Sequence, residues 1–389
     1  MYIPRTAEPT VQKLFHGYPV VVLTGPRQSG KTTLVRSVFT EMAYVSLEDP
    51  DQREFAQSDP RGFLARYPQG AVLDEVQKTP DLLSYIQTIV DQGQDRTRYI
   101  LTGSQQFGLL SSITQSLAGR AALVRLLPFS LEELDRQGMA PNHLEVFLWK
   151  GLYPPIHDRR LDPDIWYGNY VNTYLERDVR QMVNVRDLST FQRFLRMCAS
   201  RTGQLLNLSS LATDCGITHN TAKAWISVLE AGYIIHLLPP HHANFGKRLI
   251  KTPKIYFLDP GLAAWLLGIQ EPDQLSTHPM RGPLFESWVI SELLKSRFNQ
   301  GKASNLFFWR DRTGHEVDVL VDTGNALVPI EVKSGTTITP DFFSGLRYWE
   351  KLSGAAGRRS LLVYGGDQEQ QRSATRVIPW NRIGSVQVS

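Results

Sequence analysis

Cysteine is nearly missing from this chain of 389 residues, which holds only Cys198 and Cys215. Both fall among apolar residues of predicted helices, which sets aside a disulfide framework and a structural zinc site and points to two buried thiols. Long apolar runs are missing too. No stretch approaches the roughly 20 residues that a membrane-spanning helix needs, and Met1-Tyr2-Ile3-Pro4-Arg5 lacks the basic-then-apolar layout of a secretory leader. A cytoplasmic protein without a membrane partner is therefore expected. Charge of one sign is not in large excess: 42 Lys and Arg against 38 Asp and Glu leave +4, which permits a nucleic-acid partner without demanding one. The stretch from Pro239 to Tyr256 is one-sided, carrying Lys247, Arg248, Lys251 and Lys254 and no acidic residue.

What is present is a chain with 42% hydrophobic residues, long enough for two or three cores. Its organising stretch is Val20-Val21-Val22-Leu23-Thr24-Gly25-Pro26-Arg27-Gln28-Ser29-Gly30-Lys31-Thr32-Thr33-Leu34, an apolar strand running into G-x-x-x-x-G-K-T and then a helix. Glycines let backbone N–H groups curl round an anion, the helix presents its positive N-terminus, and a lysine reaches the terminal phosphates. The expected nucleotide-binding residues are Gly25, Pro26, Arg27, Gln28, Ser29, Gly30, Lys31, Thr32 and Thr33, with Thr32 as a magnesium ligand. A second apolar strand, Ala71-Val72-Leu73, ends in Asp74-Glu75, where a P-loop enzyme keeps its metal-coordinating and water-activating carboxylates. Asp74 is expected to act through magnesium and Glu75 as the base. A third strand ends in Thr102-Gly103-Ser104, hydroxyls that either sense the terminal phosphate or cap the next segment. Arg120 reads as an arginine finger or as one half of a surface ion pair.

Together with Val72-Leu73-Asp74-Glu75-Val76-Gln77 and Leu101-Thr102-Gly103-Ser104, this loop resembles the AAA-type ATPases of bacteria and archaea that carry a C-terminal domain of unassigned function. The likeness extends through Leu117-Ala118-Gly119-Arg120, Thr173-Tyr174-Leu175-Glu176-Arg177-Asp178-Val179 and Asn244-Phe245-Gly246-Lys247-Arg248 to Glu331-Val332-Lys333-Ser334-Gly335. It implies an ATP-binding AAA fold, a winged-helix segment and a nuclease-like C-terminal fold. The resulting expectation is an α/β chain: an AAA-type P-loop parallel-sheet domain over residues 1–135, a helical connector over 136–189, a winged helix-turn-helix over 190–256, and a small α/β restriction-nuclease-like domain over 257–389.

In the connector, Trp166, Tyr167, Tyr170 and Tyr174 form an aromatic stripe expected in a core, and Glu176, Arg177, Asp178 and Arg180 an ion-pair cluster. Between Phe191 and Leu238 the pattern is three helices: Phe191, Phe194, Leu195 and Cys198 stripe the first, Ser209 is expected to cap the second, Gly216 makes the turn, and the third begins near Thr218. Helix, Gly-turn, helix sets a recognition helix into a major groove, here with Thr218, His219, Asn220 and Lys223 toward the bases and the acid-free stretch as a wing. A protein partner fits the same element, because the recognition helix carries little positive charge.

Farther on come a helix with Glu286, the run Glu316-Val317-Asp318-Val319-Leu320-Val321 and the run Leu327-Val328-Pro329-Ile330-Glu331-Val332-Lys333. An aspartate on one strand and E-x-K on the next resemble the PD-(D/E)XK nuclease core, which implies metal-holding carboxylates at Asp318 and Glu331, Lys333 beside the attacking water, and Glu286 as an accessory acid. Cleavage is left open, since a fold does not guarantee its function, and Arg358 and Arg359 read as a phosphate track or as solvated charge. The expected function is magnesium-dependent ATP hydrolysis coupled to nucleic-acid binding. The alternative is an ATP-driven switch that binds a protein partner, and homo-oligomers are compatible with either.

Overall fold

Every residue of the apolar run Val20–Thr24 is buried, which requires cover on both of its faces. A parallel sheet flanked by helices supplies that cover. The computed structural model describes residues 2–92, 97–104, 116–175, 188–241, 251–354 and 359–386. Its first sheet contains β1 (Val20–Thr24), β2 (Tyr44–Ser46), β3 (Val72–Asp74), β4 (Tyr99–Gly103) and β5 (Ala121–Arg125) in the order β2-β3-β4-β1-β5. All four pairings are parallel. The two-residue period of a strand sorts its side chains into two cores. Val20 and Val22 pack with Phe63, Leu73, Ile86 and Leu101, and Val21 and Leu23 pack with Leu34, Val35, Val72 and Ile100.

The chain divides into two units: Met1–Phe129 with Ala231–Tyr233 and Arg297–Ala303, and the remainder. In the second unit, the helix Pro163–Tyr170 starts at Asp162, whose side chain accepts from the Ile165 amide, with Pro163 in its first turn. That placement suits a residue with no N–H to leave unpaired. Trp166, Tyr167 and Tyr170 are buried, with Trp166 stacked on Tyr170 at 4.9 Å between ring centroids. Three helices follow: α1 (Leu188–Ala199), α2 (Leu208–Cys215) and α3 (His219–Ala231). The cap of α2 is Asn207, whose side chain accepts from the Ser210 amide at 3.0 Å, and not Ser209, which lies inside the helix. Cys198 and Cys215 are buried free thiols. An antiparallel pair, β6 (Ile235–Leu238) with β7 (Lys254–Phe257), completes this part.

The C-terminal sheet has six strands in the order β12-β13-β11-β10-β9-β8. They are β8 (Leu306–Arg310), β9 (Glu316–Asp322), β10 (Leu327–Lys333), β11 (Ser360–Tyr364), β12 (Gln370–Arg372) and β13 (Thr375–Pro379). Helix α4 (Ser344–Ser353) packs Trp349 against Trp309, Val317 and Leu320 of this sheet. The Tyr174 side chain, Glu176, Arg177, Asp178, Arg180, Asn244, Lys247, Arg248 and Arg358 lie outside the described residues.

One buried group gives the second unit a pH dependence. His157 is 2% exposed, and its Nε2–H donates to the Gly151 carbonyl at 2.8 Å. Burial pulls its pKa from 6.5 down to about 4, helped by the charges of Lys150 and Lys295 and opposed by the Gly151 carbonyl. The unfolded chain therefore takes up this proton at a higher pH than the folded one, so the stability it contributes is present above pH 6.5 and lost as pH falls through 4. His157→Gln, which keeps a donor for Gly151, is expected to flatten that loss by on the order of 3 kcal/mol once titration is complete. Urea denaturation of both proteins at intervals from pH 7 to pH 4 measures it, and parallel curves would refute the assignment.

Candidate active site

At the end of β1 the backbone of Gly25 passes so close to the Leu126 carbonyl that a β-carbon would collide with it; only glycine fits. Gln28 takes a left-handed conformation at φ 60°, and Gly30, at φ 93°, opens the helix Lys31–Val38. Lys31 is 5% exposed. Its Nζ donates to the Gly25 carbonyl at 2.9 Å and the Pro26 carbonyl at 2.7 Å, folding the ammonium onto the loop that precedes it. Ser29 is buried with its Oγ bonded to no protein atom. Arg27, Gln28 and Thr32 are half-buried and Thr33 is exposed. From outside the motif, Arg5 braces the loop by donating to the Ser29 and Leu127 carbonyls, each at 2.7 Å.

The loop, β2, β3 and β4 meet at Asp74, which is 5% exposed. Its Oδ2 accepts from Thr32 Oγ1 at 2.8 Å and from the Tyr44 phenol at 2.6 Å; its Oδ1 accepts from Thr102 Oγ1. Burial, and then the carboxylate beside it, hold the Tyr44 phenol above its ordinary pKa. Glu75 is left-handed at φ 58°. Its Oε2 accepts from Gln77 Nε2 and, at 3.4 Å, from Ser104 Oγ. The two strand-end hydroxyls thus serve different carboxylates, Thr102 for Asp74 and Ser104 for Glu75. Arg120 is engaged by Asp91 at 2.5 and 2.9 Å, an exposed pair whose hydrogen bonding holds the Asp91 carboxyl below its usual range. Within the same unit, Thr24 Oγ1 shares a 2.8 Å hydrogen bond with the Tyr233 phenol.

In the second unit, β9 and β10 pair antiparallel and bring Asp318, Glu331 and Lys333 together. Lys333 Nζ lies 3.1 Å from Asp318 Oδ2 and 2.7 Å from Glu331 Oε1. Asp318 Oδ2 also accepts from the Val332 amide at 2.8 Å. Glu331 is 5% exposed and its Oε2 is bonded to no protein atom. Burial pushes its pKa up to about 8, with the Asp318 charge adding to the shift and Lys333 opposing it. A β-carbon on Gly345 would stand 2.7 Å from that free oxygen, so glycine lets α4 begin against the carboxyl.

Glu286 belongs to a neighbouring set. It accepts from the Tyr256 phenol and pairs with Lys254 at 3.3 Å. Lys254 also pairs with Glu316, and Arg310 reaches Glu316 at 3.2 Å. This corrects the expectation for Lys254. It is 4% exposed and buried among carboxylates, not a phosphate-contacting lysine of a wing. Burial alone would lower its pKa, but Glu286, Glu316 and Asp318 outweigh that and hold it above the ordinary lysine value. Thr218, His219, Asn220, Lys223 and Lys251 are exposed; Thr218 Oγ1 also accepts from the Thr221 amide at 3.1 Å, opening α3.

Sequence reasoning missed Arg5, Tyr44, Tyr233, Tyr256 and Glu316, and gave Lys254 a different role. Arg5 lies 24 residues from the loop it braces, and Tyr44 lies 30 residues from Asp74, so no local spacing signals either contact. For Lys254 one signal existed: it opens Lys-Ile-Tyr-Phe, an otherwise apolar run, where a lysine needs a buried counter-charge.

Residues 17–135 match an AAA domain, residues 141–273 a domain of unknown function (DUF8612), and residues 281–383 a second domain of unknown function (DUF4143). The AAA match supports ATPase activity. The chain is 30% identical over 384 residues, 97% of its length and 84% of theirs, to Uncharacterized protein Rv2008c of Mycobacterium tuberculosis and Uncharacterized protein Mb2031c of Mycobacterium bovis. Among solved structures, the Walker-type ATPase PABY2304 of Pyrococcus abyssi is 18% identical at a TM-score of 0.48, covering 68% of this chain and 96% of that one.

The site geometry makes Lys254 testable. Removing one partner of a buried pair leaves an uncompensated charge, at a cost of about 3–5 kcal/mol, whereas truncating a surface lysine changes stability by about 0.5 kcal/mol or less. Lys254→Ala is expected to show the larger loss in chemical denaturation, and a loss at the surface level would return this residue to the wing.

Proposed function

We propose that this chain, which belongs to the same family as the two mycobacterial proteins, is a magnesium-dependent ATPase whose hydrolysis is coupled to nucleic-acid binding. The observation that carries the reading is the 2.8 Å hydrogen bond from Thr32 to Asp74 at the foot of a strand-loop-helix with G-x-x-x-x-G-K-T. The residues fit the nucleotide and its metal: Gly25 lets the loop turn tightly against the Leu126 carbonyl where no β-carbon fits, Ser29 offers a buried hydroxyl without a protein partner, and Thr32 and Asp74 are adjacent oxygen donors suited to a hard cation. Magnesium held by Thr32 and Asp74 would neutralise phosphate charge. The backbone of Gly25 to Gly30, Lys31, Thr32 and Thr33 wraps the phosphates, and Lys31 exchanges the Gly25 and Pro26 carbonyls for phosphate oxygens. Glu75 takes the proton of the attacking water, oriented by Gln77 and Ser104, while Thr102 fixes the Asp74 carboxylate. Arg120 acts as a finger by leaving Asp91, which an exposed ion pair allows at little cost.

The partner reading rests on the exposed N-terminal end of α3, where Thr218, His219, Asn220 and Lys223 are open to base edges. The C-terminal residues fit less well. A lysine already bridges Asp318 and Glu331, and among the described residues no group of three or more His, Cys, Asp or Glu side chains is placed to hold a metal ion. No metal-assisted cleavage step is derived, and the domain is read as a nuclease-like scaffold.

Three measurements test these readings. Lys31→Ala should weaken ATP binding, while Glu75→Gln should bind normally and hydrolyse at least about 100-fold more slowly, as for loss of a general base; wild-type turnover in Glu75→Gln would remove the base assignment. Duplex DNA binding should weaken with salt, and Lys223→Ala with Lys251→Ala should lower the slope of log K by about one for each phosphate that is no longer neutralised. An unchanged slope assigns α3 to a protein partner. With manganese supplied, labelled DNA and RNA should stay intact; cleavage by wild type that Asp318→Ala or Lys333→Ala abolishes would overturn the scaffold reading.

A further inference from the structure

The C-terminal sheet carries a cavity of about 460 Å³ on the α4 side, a volume in the range that encloses small organic ligands. Its floor is one row across three strands. Ser360 pairs with Thr375 in register, and their hydroxyls share a 2.7 Å hydrogen bond. Pro329 adjoins them on β10, one residue before the β10 to β11 pairing begins at Ile330 and Leu361. Proline has no N–H to extend that ladder, so the floor opens where the pairing stops. Phe343, Leu346 and Trp349 form an apolar and aromatic wall.

Three arginines stand round this cavity: Arg347, Arg359 and Arg372, all exposed. None makes an ion pair with a described residue. Arg347 donates to the Pro340 carbonyl at 2.7 Å, Arg372 donates to Gln370 at 3.0 Å and lies over the Phe343 ring at 6.0 Å, and Arg359 has no hydrogen-bond partner among the described residues. On the same hairpin, Arg376 is paired with Glu369 at 2.7 Å, so pairing was available to this segment. Among the described residues, Glu350 is the one carboxylate in the lining. Three guanidinium groups less one carboxylate leave a formal +2, which complements a phosphate monoester near its second ionisation. Planar guanidinium forks match phosphate oxygens in pairs, and they stack on aromatic rings.

We propose that this pocket binds a 5′-mononucleotide, its phosphate held by Arg359, Arg372 and Arg347 and its base against Phe343, Leu346 and Trp349. The ligand chemistry is the same whether it arrives as a free nucleotide or as the 5′-phosphorylated end of a strand. The site shares no residue with the phosphate loop and does not depend on the ATPase reading.

The test uses the full-length chain carrying Lys31→Ala, so that the phosphate loop does not compete. Isothermal titration with 5′-AMP is expected to show saturable binding, weakened about tenfold or more in Arg359→Ala and in Arg372→Ala. Adenosine and inorganic phosphate should each bind at least about tenfold more weakly than 5′-AMP, because each lacks one half of what the pocket reads. Binding of a 5′-phosphorylated dinucleotide with equal affinity assigns a strand end, and its exclusion assigns a free nucleotide. Both arginines are exposed, so their removal leaves the fold intact; a circular dichroism melt checks this. Absence of saturable 5′-AMP binding up to about 1 mM, or an affinity unchanged in both arginine variants, overturns the proposal. Inorganic phosphate binding as tightly as 5′-AMP overturns the nucleotide assignment.

Discussion

The Asp74 carboxylate is the constraint on which the first unit's site depends. A carboxylate taken from water must be met by donors or it protonates, and here Thr32, Tyr44 and Thr102 donate to it. Those three side chains come from the helix after the phosphate loop, from β2 and from β4. Satisfying one charge therefore fixes the spacing of three elements around the end of β3. Once that spacing is set, Glu75 and Ser104 follow, each one or two residues beyond a residue already placed.

The second unit solves a comparable problem with cations. Lys254 and Lys333 are interleaved with Glu286, Glu316, Asp318 and Glu331, and Asp318 bears electrostatically on both lysines. Pairs buried this deeply add little net stability over apolar packing, but breaking one is costly. Their effect is to specify which strands and helices come together: β7, β9, β10 and the helix bearing Glu286 have few other ways to neutralise these groups at once. Glu331 is the incompletely matched member, with one oxygen unbonded and a pKa pushed up to about 8.

Much of what short-range spacing fixes was legible in the sequence. The phosphate loop is contiguous, and β9 and β10 span the two β-like runs read from the sequence, in which the likeness to a nuclease core, and not alternation by itself, grouped Asp318 with Glu331 and Lys333. Helical spacing also identified Cys198 and the Trp166 stripe as core. Long-range contacts were not legible. Nothing near Tyr44 announces that its phenol turns to a carboxylate on a neighbouring strand. Lys254 was assigned from the composition of its surroundings in sequence, whereas its carboxylates lie 32 and 62 residues downstream, at Glu286 and Glu316. The Asn207 cap was missed for a smaller reason: Asn and Ser both cap well, and three candidate residues fall within four positions.

The two thiols have a practical corollary. Cys198 is wholly enclosed and Cys215 is 4% exposed, and burial raises both pKa values. The thiolate is the species that maleimides and iodoacetamides attack, so neither native cysteine competes for such reagents in the folded state. A single cysteine introduced on either unit becomes the one labelling position, and a pair, one on each, gives a donor and an acceptor for distance measurements. The wild-type background already serves as the cysteine-light protein on which spectroscopy of this chain's working cycle can be built.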